Sequence, residues 1–339
     1  MSIGENRVIS RREFVCQSGL LTGATLLGTA SVSAVAADQG ANELPSLAPD
    51  GPPRRILGRT NVPITMFTLG TAPCGSLPPS KIAELVNVAL DAGVNAVDTS
   101  EKYVNSQEGV GLALGQRRKD VFLSTKVFAN TIAEAEQSLA KSIKLLRTDH
   151  FDLLYYHSLG NLKIDRAMDP DGVFTWLIKQ KKAGTCRFLG ISGHDLPARF
   201  SQFLQTGEVD VLLAAVNFVD RHTYNFEETV LPVARRHGVG IIAMKVFGGA
   251  AAGEYKNPTG PHVGSEHVRS ALRYALSIPG VVSADLGVHS AEQIRSNVRM
   301  IKDFRPLSPE EHAKLMDLGK GLAAQWKEHF GPVAEKKTA

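Results

Sequence analysis

Cysteine is scarce in this chain: three residues in 339, Cys16, Cys74 and Cys186, with no C-x-x-C pair. That spacing excludes a zinc or iron–sulfur site built on paired cysteines, and no metal is expected. Basic residues interleaved with aromatics are also missing, and the net charge is only +4. A nucleic-acid groove is therefore excluded. The weakly apolar stretch Gly19–Val35 is short and broken by Gly and Thr, so stable membrane insertion is not expected. A G-x-G-x-x-G turn after the first strand is absent as well, since Leu69 is followed by Gly70-Thr71-Ala72-Pro73-Cys74-Gly75. That argues against an open dinucleotide-binding sheet.

The N-terminus reads as an address. Ser10-Arg11-Arg12-Glu13-Phe14 precedes the weakly apolar stretch, and Ala34-Val35-Ala36 gives the small-x-small pattern of a cleavage site. Residues 1–37 are expected to be a Tat signal peptide, placing the protein in the periplasm or otherwise outside the cytoplasm, with the Tat machinery as a partner. Residues 38–53, rich in Pro, Ala and Asp, read as a linker; 54–330 form the folded domain with a C-terminal helix, and 331–339 a flexible tail.

Within that domain, apolar runs alternate with amphipathic stretches. Strands are predicted at Ile64–Leu69, Val94–Asp98, Val121–Thr125, Phe151–Tyr156, Arg187–Ile191, Val211–Val216, Gly240–Met244 and Val282–Leu286. Helices are predicted at Ser80–Ala92, Glu108–Leu114, Ile132–Leu146, Gly172–Ala183, Pro197–Gln205, Phe226–His237, Ser265–Ser277 and Ala291–Lys302. Apolar spacing of three and four supports the helices, and Gly93, Gly184 and Gly238 supply stop signals. Nearly all-apolar strands alternating with helices describe a (β/α)8 TIM barrel. Cys74 follows one strand and Cys186 precedes another, so they fall at opposite barrel ends and no disulfide is expected. Trp176 and Trp326 read as packing residues, and His262 and His267 lack a carboxylate at ligand spacing. The long Gly248–Gly264 connection reads as a mobile cover or as a disordered loop.

Barrel enzymes carry their chemistry on loops after the strands. Asp98 ends the second predicted strand, Tyr103 lies five residues on, Lys126 follows the third and His157 the fourth. Reducing a carbonyl by hydride requires a proton donor for the oxygen. A tyrosine with pKa near ~10 is a poor one unless an ammonium stabilises its anion. That ammonium, once buried, needs a carboxylate to stay charged. Tyr103, Lys126 and Asp98 supply such a chain, and His157 can orient the carbonyl oxygen.

The sequence resembles the aldo-keto reductase superfamily through Asn95-Ala96-Val97-Asp98-Thr99-Ser100, Tyr103 and Ser106-Gln107-Glu108-Gly109-Val110-Gly111. It is similar to a bacterial branch with Met-Lys-x-x-Gly-Gly after strand seven, here Met244-Lys245-Val246-Phe247-Gly248-Gly249; the C-terminal iron–sulfur module of some members is not in this sequence. The resemblance implies an NAD(P)-dependent oxidoreductase interconverting a small-molecule carbonyl and alcohol, with Tyr103 as proton donor, Lys126 and Asp98 tuning it and His157 orienting substrate. It implies cofactor contacts from Ser192, Asn217, Lys245, Phe247, Gly248, Gly287, Ser290, Gln293 and Asn297. Gly193 stands where the family has Asn, no Gln lies on strand six, and Met244 replaces a stacking aromatic. Gly287 and Gln293 occupy the places of the Lys and Arg that hold a 2′-phosphate, leaving NADP and NAD both open. Two alternatives stand beside this function: a catalytically silent nucleotide-binding module, and a sugar isomerase or epimerase that retains its cofactor.

Overall fold

In a computed structural model of the chain, residues 51–249 and 260–335 are described. The expected signal peptide, most of the linker and residues 250–259 of the expected cover lie outside them.

The strands are β1 (Arg54–Ile56), β2 (Pro63–Thr65), β3 (Phe67–Gly70), β4 (Ala96–Asp98), β5 (Phe122–Val127), β6 (Phe151–Tyr156), β7 (Cys186–Gly193), β8 (Val211–Ala215), β9 (Gly240–Met244) and β10 (Val281–Gly287). The helices are α1 (Pro79–Asp91), α2 (Ser106–Leu114), α3 (Ile132–Leu146), α4 (Val173–Ala183), α5 (Ala198–Gln205), α6 (Phe226–Thr229), α7 (Leu231–Arg236), α8 (Val268–Ser277), α9 (Ala291–Lys302) and α10 (Pro309–Trp326). Strands β3 to β10 pair in parallel and close into a barrel, β10 returning to β3. This is the (β/α)8 barrel.

Alternation along each strand explains why the strands read as continuous apolar runs. One set, including Phe122, Leu153, Val211, Leu213 and Ile242, fills the barrel interior. The other, including Leu123, Leu154, Leu212 and Ile241, packs against the helical layer. Both faces are buried, so neither needs polar residues. The same parity carries Asp98 and Lys126 inward above Ala96 and Phe122. Lys126 thus belongs to β5 itself rather than to the loop after it.

Three boundaries differ from the sequence reading. The first predicted strand is two: β2 folds back antiparallel on β1, and only β3 enters the barrel. Leu57 and Ile64 of this hairpin join the interior cluster. Its turn passes so close to β9 that a Cβ on Gly58 would lie 2.3 Å from Gly240 N. The pattern at Phe226–His237 breaks into α6 and α7 because Pro232 cannot continue a helical hydrogen bond. The expected tail is fixed at least to residue 335. Pro332 O accepts from Leu196 N at 3.2 Å, Gly331 O from Tyr224 Oη at 3.1 Å, and Glu335 pairs with Arg199.

Cys74 and Cys186 sit at opposite ends of the barrel as buried thiols, and burial pushes them up to about 11 and about 12. Trp176 and Trp326 are buried packing residues. Among the described residues, no helix is long and apolar enough to cross a membrane. Among the same residues, no group of three or more His, Cys, Asp or Glu is placed to hold a metal.

Candidate active site

Strand parity, two helices and a chain of hydroxyls build this site. Asp98 closes β4, and the turn that follows is fastened on both sides. Thr71 Oγ1 donates to Asp98 O at 2.6 Å, Ser106 Oγ donates to Thr71 Oγ1 at 2.6 Å, and Thr99 Oγ1 meets Ser106 Oγ at 2.7 Å. Gln107 Nε2 reaches across to Thr125 Oγ1 and Ser142 Oγ. These contacts seat α2 over β4 and β5 and fix where Tyr103 projects. Val104, next in the chain, has φ +51 and is half exposed. A β-branched residue rarely tolerates that conformation. Ser158, Leu196 and Lys245, also in loops after strands, share left-handed backbone, a clustering of strain that marks functional faces.

Lys126 is 1% exposed and Asp98 3%. The Lys126 ammonium pairs with Asp98 Oδ2 and donates to Thr99 O at 2.9 Å. Ser124 Oγ donates to Asp98 Oδ1 at 2.6 Å, a partner that nothing in the sequence pattern singled out. The ammonium lies 4.8 Å from the centre of the Tyr103 ring. The His157 ring meets that of Tyr103 edge-on at 6.0 Å. Burial, then the positive charge of Lys126, holds His157 well below the usual histidine range. It stands as a neutral imidazole, a hydrogen-bonding group and not a cation. The structure brings all four expected catalytic residues together.

A cavity of about 340 Å³ opens above them, lined by Asp98 and Tyr103 at one side and by Gly287 and Gln293 at the start of α9 at the other. Of the expected cofactor residues, Lys245, Phe247 and Gly248 also face it. Ser290 caps α9, accepting from Gln293 N at 3.3 Å, and Gln293 Oε1 accepts from His289 N at 2.6 Å. Burial pulls the Lys245 ammonium down to about 8, against the pull of Asp285 and Asp220.

Besides Ser290, which caps α9 without lining the cavity, three expected contacts lie away from its wall. Asn217 is wholly buried; its amide donates to Asp220 Oδ2 and Lys245 O and accepts from Val219 N and Asp220 N. All its hydrogen-bonding capacity is committed within the fold, so in this conformation its amide has no group left to offer a nicotinamide. Ser192 is buried behind the wall, its Oγ accepting from Ser158 N at 3.2 Å, and Asn297 is buried within α9. Among the other residues that line the cavity without having been assigned from sequence are His194 and Asp285. His194 follows Ser192-Gly193, and burial holds its ring well below the usual histidine range.

A barrel carrying Tyr, Lys, Asp and a neutral His at its C-terminal mouth defines a carbonyl–alcohol oxidoreductase site. The aldo/keto reductase family pattern matches residues 66–270. The chain belongs to that family. It is 25% identical over 294 residues to L-galactose dehydrogenase of Arabidopsis thaliana, covering 76% of this chain and 90% of that protein. It is 30% identical over 185 residues to methylglyoxal reductase DkgB of Salmonella typhimurium, covering 52% and 65%. The holo structure of an aldo-keto reductase from Bacillus halodurans superposes with a TM-score of 0.64 over 82% of this chain and 99% of that one, at 22% identity, a likeness of fold.

Proposed function

We propose that Tyr103 protonates the oxygen of a bound carbonyl, with Lys126 and Asp98 making that proton available and His157 holding the oxygen in place. The adjacency of the Lys126 ammonium to the Tyr103 ring, 4.8 Å from its centre, carries this reading. A reduced nicotinamide, when bound, supplies hydride to the carbonyl carbon. As negative charge builds on the phenol oxygen, the nearby ammonium stabilises it, while Asp98 keeps that ammonium charged in a buried setting. Neutral His157 can donate to the substrate oxygen without competing as an acid. In the reverse direction the same tyrosine accepts the alcohol proton.

The cavity suits a dinucleotide. It runs from Tyr103 to the N-terminus of α9, where backbone N–H groups favour an anion. Gly70, Gly248 and Gly287 present backbone to it, and at Gly287 a Cβ would lie 2.4 Å from Pro73. Gly248, Gly287, Phe247 and Lys245 would hold the nucleotide, with Ser290 and Gln293 shaping its phosphate end. Among the described cavity residues, Lys245 is the only Lys or Arg, and the α9 end carries Gly287, His289 and Gln293. A 2′-phosphate there lacks the charge-assisted contacts that are each worth about 1.5–3 kcal/mol. We therefore infer that NAD is accepted about as well as NADP. Titration of the purified protein should give dissociation constants within about tenfold of one another. A hundredfold preference for NADP would contradict this.

The Ser10-Arg11-Arg12-Glu13-Phe14 segment supports export in the folded state, with nucleotide acquired before transit. Wild-type protein should then fractionate outside the cytoplasm with nucleotide bound, and Arg11→Lys/Arg12→Lys should stay inside. Equal distribution of the two would rule out this route.

A further inference from the structure

The proton-relay reading leaves a second carboxyl in the cavity with nothing to do. Asp285 lies near the end of β10 and faces the same space as Tyr103. It faces that space because β10 is irregular. Between Val281 and Ser283 its register against β9 slips by one residue. Val281, Ala284 and Leu286 pack toward the helices, while Val282 lies in the barrel interior. Ser283 follows it inward and bonds Thr68 at 2.8 Å. Two successive inward residues reset the alternation, and Asp285 points to the cavity where a regular strand would bury it against a helix. Across from it, Gly70 keeps the space open, since a Cβ there would stand 2.3 Å from Asp285 Oδ1.

That oxygen is buried and has no hydrogen-bond partner among the described residues. A buried polar atom without a partner is costly and is retained where a ligand completes it. Burial, then the charge of Asp98, pushes the carboxyl well above the usual carboxylate range, against the opposing pull of Lys126 and Lys245. Its protonated form, which burial favours, would be an O–H donor as well as an acceptor.

We propose that Asp285 determines substrate specificity by hydrogen-bonding a hydroxyl that lies close to the reacting carbonyl, so that hydroxylated aldehydes and ketones are favoured over plain ones. This rests on the reductase reading of the cavity. A site whose polar group stays unpaired beside an analogue lacking the hydroxyl rejects that analogue. The test compares kcat/KM for glyceraldehyde and propanal in wild type, Asp285→Asn and Asp285→Leu, with nucleotide dissociation constants measured alongside. Wild type should prefer glyceraldehyde by at least about tenfold. Asp285→Leu should bring the ratio close to one, and Asp285→Asn, which keeps a donor and an acceptor, should retain most of the preference. An unchanged ratio in Asp285→Leu overturns the assignment, as does a loss confined to nucleotide binding. Absence of turnover of both aldehydes by wild type instead overturns the reductase reading on which it stands.

Discussion

Tyr103→Phe should lower kcat for carbonyl reduction by about 10²–10⁴-fold, the range spanned by removal of a positioned general acid, while nucleotide binding stays within about twofold. The ring is 7% exposed, so phenylalanine fills the same space and keeps the cation–π contact with Lys126. Only the hydroxyl is lost. Structure around it should persist, because Thr71, Thr99, Ser106 and Gln107 hold the turn through their own hydrogen bonds. Steady-state kinetics with a fixed aldehyde, together with fluorescence titration of nucleotide, separates the two effects. Full turnover in Tyr103→Phe would assign the proton to another group.

Lys126→Met should abolish turnover and also cost about 3–5 kcal/mol of stability, the cost of leaving one member of a buried ion pair alone. Asp98 would keep only the hydroxyl of Ser124 on Oδ1, and its other oxygen would face the cavity unpaired. Adding Asp98→Asn to Lys126→Met removes that stranded charge. Stability measured by urea denaturation should recover by about 2 kcal/mol or more in the double variant, without recovery of activity. Equal stability of wild type and Lys126→Met would mean that the pair is not buried as described. Activity restored by the second substitution would mean that the ammonium does not serve the tyrosine.

Period and punctuation in the sequence located most of the barrel. Ile132–Leu146 is the same in pattern and structure because Thr131 and Glu134 form a capping box and apolar spacing is regular throughout. That Asp98, Tyr103, Lys126 and His157 would meet was legible because each lies on or just after a strand, and strand ends share one face of a parallel barrel. What stayed hidden depends on departures from period. The slip in β10 reverses which residues face inward, so an alternation count from Val282 would send Asp285 toward the helices. Asn217 was offered by the family resemblance as a nicotinamide contact because it follows β8, which carries no Gln. Its commitment to Asp220 and Lys245 arises from a loop conformation that pairwise spacing does not encode. Residues 331–339 read as a flexible tail, yet residues 331, 332 and 335 bond to Tyr224, Leu196 and Arg199, which are distant in sequence.

Isotope tracing tests the central chemistry most directly. The protein would be supplied with an aldehyde and with reduced nicotinamide dinucleotide carrying deuterium at the transferable position. Deuterium on the carbinol carbon of the alcohol, formed by wild type and nearly lost in Tyr103→Phe, is the predicted outcome. Alcohol formed with hydrogen from solvent at that carbon, or no alcohol despite tight nucleotide binding, would contradict it.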